Sequence, residues 1–197
     1  MAKKLLLTGF DPFGGESVNP AWEAVSRVSD RVGDFEITKL MVPTVFGKAG
    51  ETVSKKADEI GADVVLCVGQ AGGREAVTPE MVGINLRYGR IQDNEGNAPQ
   101  DEPVVEKGPA AIFTTLPARA MAAAINEAGV AGKLSLSAGA FVCNDLLYSM
   151  LYYFHGTQTR VGFIHVPYLP EQAKNGAPSM ERADIIKALE AAIAAIE

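Results

Sequence analysis

Cys143 closes the apolar run of residues 134–142 and opens the helical pattern Leu146-Leu147-Tyr148-Ser149-Met150-Leu151. A thiol at such a junction stands at a helix N-terminus, where unpaired backbone N–H groups and the helix dipole favour the thiolate. Further on, His165 ends a second apolar run, Val161-Gly162-Phe163-Ile164. The chain holds two Cys and two His, so few nucleophile–base pairs can be drawn. Such a pair also needs a group that orients the base. Glu80, Asp11, Asp145 and Glu171 are the candidates. Glu80 has the best context, because Val77-Thr78-Pro79-Glu80 follows the glycine-rich turn Gly69-Gln70-Ala71-Gly72-Gly73-Arg74. The competing description of Cys143 is an inert, buried small hydrophobe, the usual state of a free cysteine. Cys67, inside the apolar run 64–68, reads as core. His155, near a helix end, reads as a solvated cation.

Other patterns are weaker. Phe10 and Phe13 flank a turn and either line a pocket or pack in the core. Gly14-Gly15 and Gly72-Gly73 match neither a phosphate-binding loop nor a dinucleotide fingerprint. No Cys/His spacing suits zinc. Asp93, Glu95, Asp101, Glu102 and Glu106 read as the solvated face of a mobile loop rather than a calcium site.

The elements that must position these residues alternate between strand and helix. Residues 3–9 form a short apolar strand; the two lysines before it do not make a secretory leader, because the apolar run is too short. Asn19-Pro20 supplies an N-cap and a first-turn proline for a helix over 21–28. A strand follows at 35–43, then a helix at 48–60 stopped by Gly61, and a continuous β-branched strand at 63–69. Residues 80–92 suggest shorter, antiparallel strands, and 92–109 a polar segment serving as a lid or an intersubunit contact. Helices over 115–128 and from Ser179 onward complete the chain. The pattern predicts one domain over 1–197, a three-layer α/β/α sandwich around a mostly parallel sheet.

Active sites of such sheets gather at the carboxyl ends of the strands. With strands at 134–139 and 161–165 joined through a helix at 144–154, Cys143 and His165 meet at one sheet edge. Net charge of −6 and the absence of a basic cluster argue against nucleic acid. No apolar stretch reaches the length of a membrane span. Two unpaired cysteines suit a reducing compartment.

Several segments together resemble one family, the type I pyroglutamyl peptidases. They are Thr8-Gly9-Phe10-Asp11-Pro12-Phe13-Gly14-Gly15, Asn19-Pro20-Ala21-Trp22, Val42-Pro43-Thr44 and the turn from Gly69 to Arg74. Thr78-Pro79-Glu80, Arg90-Ile91-Gln92-Asp93-Asn94-Glu95-Gly96-Asn97, Ala138-Gly139-Ala140-Phe141-Val142-Cys143-Asn144 and Phe163-Ile164-His165-Val166-Pro167 follow in the family's order. The resemblance implies a cysteine peptidase that removes N-terminal pyroglutamate from peptides, with Glu80, Cys143 and His165 as its triad. It implies apolar pocket walls from Phe10, Phe13, Thr44, Ile91, Phe141 and Val142. Asn19 and Gln70 would meet the substrate's polar atoms, and Arg90 would lie near the oxyanion. It further implies a cytoplasmic homotetramer that needs no metal or organic cofactor. The residues alone leave three alternatives open: a glutamine-cleaving amidase, a nucleoside- or phosphate-binding transferase, and a non-catalytic binding module.

Overall fold

In a computed structural model describing residues 2–196, the first apolar run forms β1 (Lys3–Phe10) inside a six-stranded sheet. It lies between β3 (Phe35–Val42) and β4 (Val64–Gln70), parallel to both. β8 (Arg160–Val166) runs parallel along the other side of β4. Two short strands, β2 (Arg31–Val32) and β5 (Thr78–Pro79), close the edges antiparallel, giving the order β2-β3-β1-β4-β8-β5. A separate antiparallel pair joins β6 (Val82–Ile84) to β7 (Ala111–Phe113).

Alternation along the central strands divides the core in two. Leu5, Leu7, Val64, Leu66, Val68, Ile164 and Val166 pack with α1 (Pro20–Val25), α3 (Ala118–Glu127) and α5 (Arg182–Ala194). Leu6, Val65, Cys67, Val161 and Phe163 face the opposite layer, α2 (Lys48–Ile60) and α4 (Val142–Tyr153). Apolar side chains on both faces explain why these strands are hydrophobic throughout. The layers and the mixed sheet are those the sequence predicts.

Local signals act where they are expected. The Asn19 side chain accepts the Ala21 N–H at 3.0 Å, with Pro20 at the first helical position. Gly61 ends α2 at φ 63°, a left-handed conformation that suits glycine. Boundaries differ at other ends: α1 stops at Val25, α3 starts at Ala118, and α5 starts at Arg182.

The expected strand at 134–139 does not form. Of this stretch only Ser135 makes a bridge, with Glu80, and Gly132 just before it bridges Val77. Its two serines alternate with leucines, Leu136 is 69% exposed, and the Ser135 and Ser137 hydroxyls bond within the segment itself. Such local bonding competes with a ladder. The segment is an irregular approach to α4, and its path still delivers Cys143 to the carboxyl end of β4.

The polar segment 92–109 has no helix or strand, but its first turn is built around a buried group. The Asp93 carboxylate accepts the N–H groups of Phe46, Glu95 and Asn97, and Asn94 bonds the Pro12 carbonyl. Desolvation opposes the charge of Asp93, yet the hydrogen bonds from Asn97, Phe46 and Glu95 win and hold its carboxyl below the ordinary range. Asp93 thus organises this loop from inside, contrary to the expectation of a purely solvated acidic face.

Candidate active site

On β8, His165 shares a face with Val161 and Phe163, so its ring points into the α2/α4 layer. Its register partner on β4 is Gly69. A Cβ added to Gly69 would lie 2.8 Å from the Cys143 Sγ and 2.7 Å from the Phe163 Cζ. The sulfur therefore rests over Gly69, in the space that a side chain there would fill. Neighbouring strands are spaced by about 4.8 Å, so the sulfur lies over one strand while the imidazole rises from the next. Cys143 occupies the first turn of α4, after Phe141 at the N-cap. That turn's N–H groups have no intrahelical acceptors.

One strand further along the sheet, beyond β5, stands Glu80. Its Oε1 is 2.7 Å from the His165 Nδ1, and both residues are buried. A carboxylate at Nδ1 makes that nitrogen the donor and leaves Nε2 as the acceptor. The other three carboxylates are engaged elsewhere. Asp145 is buried against Arg87 and the Gly47 N–H. Asp11 accepts from the Thr44 N–H, the Thr44 hydroxyl and Asn94. Glu171 pairs with Arg182.

Arg74 is a site residue that sequence reasoning passed over. Its guanidinium donates to the same Glu80 Oε1 at 2.7 Å, to the Thr78 hydroxyl at 2.5 Å and to the Ser137 carbonyl at 3.0 Å. It thereby ties the carboxylate to the irregular approach to α4. The available signal was an arginine closing a glycine-rich turn just before the candidate carboxylate.

Electrostatics follow from this packing. Burial opposes ionisation of Glu80, but His165, Ser135 and Arg74 overcome it and hold the carboxyl below its usual range. Burial lowers the His165 pKa, and Arg74 adds to the effect against the opposing pull of Glu80. Burial and then the Glu80 charge push the Cys143 thiol up to about 12, with Arg74 partly opposing. Desolvation and the nearby carboxylate thus oppose the thiolate that the helix N-terminus favours. Cys67 is also raised to about 12, by complete burial, with a Thr8 hydrogen bond opposing.

Cys143 and His165 line a cavity of about 380 Å³ together with Phe10, Phe13, Thr44 and Phe141. Asn19, Gln70 and Arg90 also line it. Asn19 is buried, giving its amide N–H to the Asp11 carbonyl while capping α1. The Gln70 side-chain amide oxygen accepts from the side-chain amide of Gln172, a buried residue that the sequence did not single out. Arg90 has no hydrogen-bond or ion-pair partner among the described residues, and so is available to an anionic group. Phe141 is wedged by Phe13 at 6.2 Å and by Phe46, edge-on, at 5.2 Å between ring centroids. Two expected wall residues lie elsewhere. Val142 is fully buried in the core under α4, and Ile91 is 47% exposed in an adjoining cavity. Among the described residues no cluster of His, Cys, Asp and Glu could hold a metal ion, and no helix is long and apolar enough to cross a membrane.

A cysteine on a helix N-terminus, beside an imidazole held by a buried carboxylate, at the carboxyl ends of a parallel sheet, is the arrangement of a thiol hydrolase. Comparison with known proteins narrows the class. The family model for pyroglutamyl peptidase matches residues 3–197. A pyrrolidone-carboxylate peptidase of Erwinia tasmaniensis is 50% identical over 194 residues, 97% of this chain and 91% of that protein. The crystal structure of Bacillus amyloliquefaciens pyroglutamyl peptidase I superposes with a TM-score of 0.95 at 45% identity, covering 98% of this chain and 96% of that one. The pyrrolidone carboxyl peptidase of Thermococcus litoralis gives 0.94 at 33% identity, covering 98% and 93%. The chain belongs to the pyroglutamyl peptidase family. It is a cysteine exopeptidase that removes N-terminal pyroglutamate.

Proposed function

We propose that Cys143, His165 and Glu80 form the catalytic triad and that hydrolysis passes through a thioester on Cys143. The observation that carries this reading is the alignment across adjacent strands: sulfur over Gly69, imidazole at its register partner, and carboxylate 2.7 Å from the Nδ1. The His165 Nε2 takes the thiol proton as the sulfur attacks the pyroglutamyl carbonyl. The resulting oxyanion is held by the Cys143 N–H, with Arg90 at the cavity mouth. A preorganised donor of this kind contributes about 3–4 kcal/mol. Collapse breaks the C–N bond, and the imidazolium gives its proton to the departing amine. Water then attacks the thioester, losing a proton to His165, and the proton returns to sulfur as pyroglutamate leaves. Glu80 holds the imidazole in one tautomer throughout.

Pyroglutamate is an uncharged lactam without a free α-amine, so its pocket needs no carboxylate to hold an ammonium. Phe10, Phe13, Thr44 and Phe141 would enclose the ring, and Asn19 and Gln70 would meet its polar atoms. Val142 acts through the packing of α4's first turn, and Ile91 beyond the mouth of the pocket. We also propose that residues 1–197 work as one peptidase domain, without cofactor, as a cytoplasmic homotetramer. Two free cysteines suit a reducing compartment, and native mass spectrometry tests the assembly.

The pH profile carries a signed expectation. His165 must be neutral to accept the thiol proton, and burial lowers its pKa below the ordinary 6.5. The acid limb of kcat/KM should therefore fall below pH 6.5, with activity sustained across neutral pH. A midpoint above that value would mean that Glu80 dominates the ring. The reaction itself is tested by an amide panel. Chromophore release from a pyroglutamyl amide, with no ammonia from glutamine and no dependence on phosphate, supports this reading. Ammonia release from glutamine in place of pyroglutamyl cleavage would replace it with an amidase.

A further inference from the structure

The cavity that holds Cys143 and His165 is closed at one end and open at the other. Its closed end is formed by Phe10, Asn19 and Thr44, each at most 3% exposed. None of them reaches the adjoining cavity of about 550 Å³. Six residues line both spaces and form the passage between them: Phe13, Gln70, Gly72, Arg90, Gly139 and Phe141. A third cavity, of about 580 Å³, touches the catalytic one only through Arg74. That guanidinium is fixed by Glu80, Thr78 and Ser137 and acts as a partition. A peptide whose first ring fills the closed end has one continuous way out.

We propose that the 550 Å³ cavity is the binding subsite for the residue that follows pyroglutamate, and that it takes a large apolar or aromatic side chain. This rests on the pocket assignment made above. Tyr88, Ile91 and Tyr168 line the subsite beyond the passage. Tyr88 and Ile91 are among the few large apolar residues left exposed, at 42% and 47%. Tyr88 is held in place, since its N–H donates to the Ala140 carbonyl at 2.8 Å, on the segment leading to Cys143. Tyr168 packs closely against Gly72, where a Cβ would lie 2.1 Å from its ring carbon. The one carboxylate at the subsite, Glu16, is paired with Lys174. Arg90 stands in the passage, where the reaction's oxyanion engages it, and beyond it the aromatic walls and the neutralised acid favour apolar contact over charge recognition.

The test is kcat/KM for a series of pyroglutamyl-X-amides with X as Gly, Ala, Leu, Phe, Glu and Lys. Leu and Phe should exceed Gly by roughly tenfold or more, the discrimination an apolar pocket supplies. Tyr88→Ser should cut the Leu and Phe values far more than the Gly value, and Tyr88→Phe should restore them. A variant that merely folds poorly would lower all substrates in proportion, and Tyr168→Ser provides an independent second probe of the same preference. Equal rates for every X, a preference for a charged X, or a Leu and Phe preference untouched in both serine variants would overturn the subsite. Failure to cleave any member of the series would instead count against the pocket reading itself.

Discussion

Cys143→Ala is expected to lower kcat on a pyroglutamyl amide by about 10⁴-fold or more, as loss of a nucleophile does in other triads. Cys67→Ala should keep most of the activity. Burial raises both thiols, and their surroundings separate them. Cys67 is sealed in the middle of β4 among Leu6, Val65 and Phe163, and trimming it should cost on the order of 1 kcal/mol of stability. Cys143 lines the cavity beside His165 and touches Gly69, so an alanine there leaves the core filled. Thermal unfolding of both variants, measured beside their kinetics, separates lost chemistry from lost folding. Equal losses of activity would show that the wrong thiol has been assigned.

Glu80→Gln is the second large effect, expected to reduce kcat by about 10³- to 10⁴-fold, the cost of losing the group that fixes a triad tautomer. The amide keeps the shape of the side chain but removes the charge that His165 and Arg74 both address through Oε1. KM should change little, because Glu80 does not line the substrate cavity. Glu80→Ala adds a structural penalty: Arg74 keeps only Thr78 and Ser137, and breaking a buried ion pair costs about 3 kcal/mol. Both variants are read by kcat, KM and the unfolding midpoint. A glutamine variant with near-parental kcat would remove Glu80 from the chemistry and leave it as a structural anchor.

What could be read from the chain before its structure was mostly local. Apolar runs specified β1, β4 and β8, and Asn19-Pro20 and Gly61 marked helix ends, because each signal is satisfied within a few residues. The pairing of Glu80 with His165 was legible as a preference, since the glycine turn placed that carboxylate near the sheet's carboxyl edge. Three features were not legible. Residues 134–139 look like a strand by hydropathy, but Ser135 and Ser137 bond within the segment, which does not join the sheet. The influences opposing a Cys143 thiolate were the second, because desolvation and the Glu80 charge come from residues distant in sequence. Arg74 was hidden for the same reason: its three partners include one more than sixty residues away.

The most direct test of the account is whether turnover places the pyroglutamyl group on the sulfur at position 143. Protein mixed with an activated pyroglutamyl ester, acid-quenched within the first turnover and mapped by peptide mass spectrometry, should carry one acyl group on the peptide containing Cys143. An acyl group on any other side chain, or an unchanged early product burst from Cys143→Ala, would contradict it.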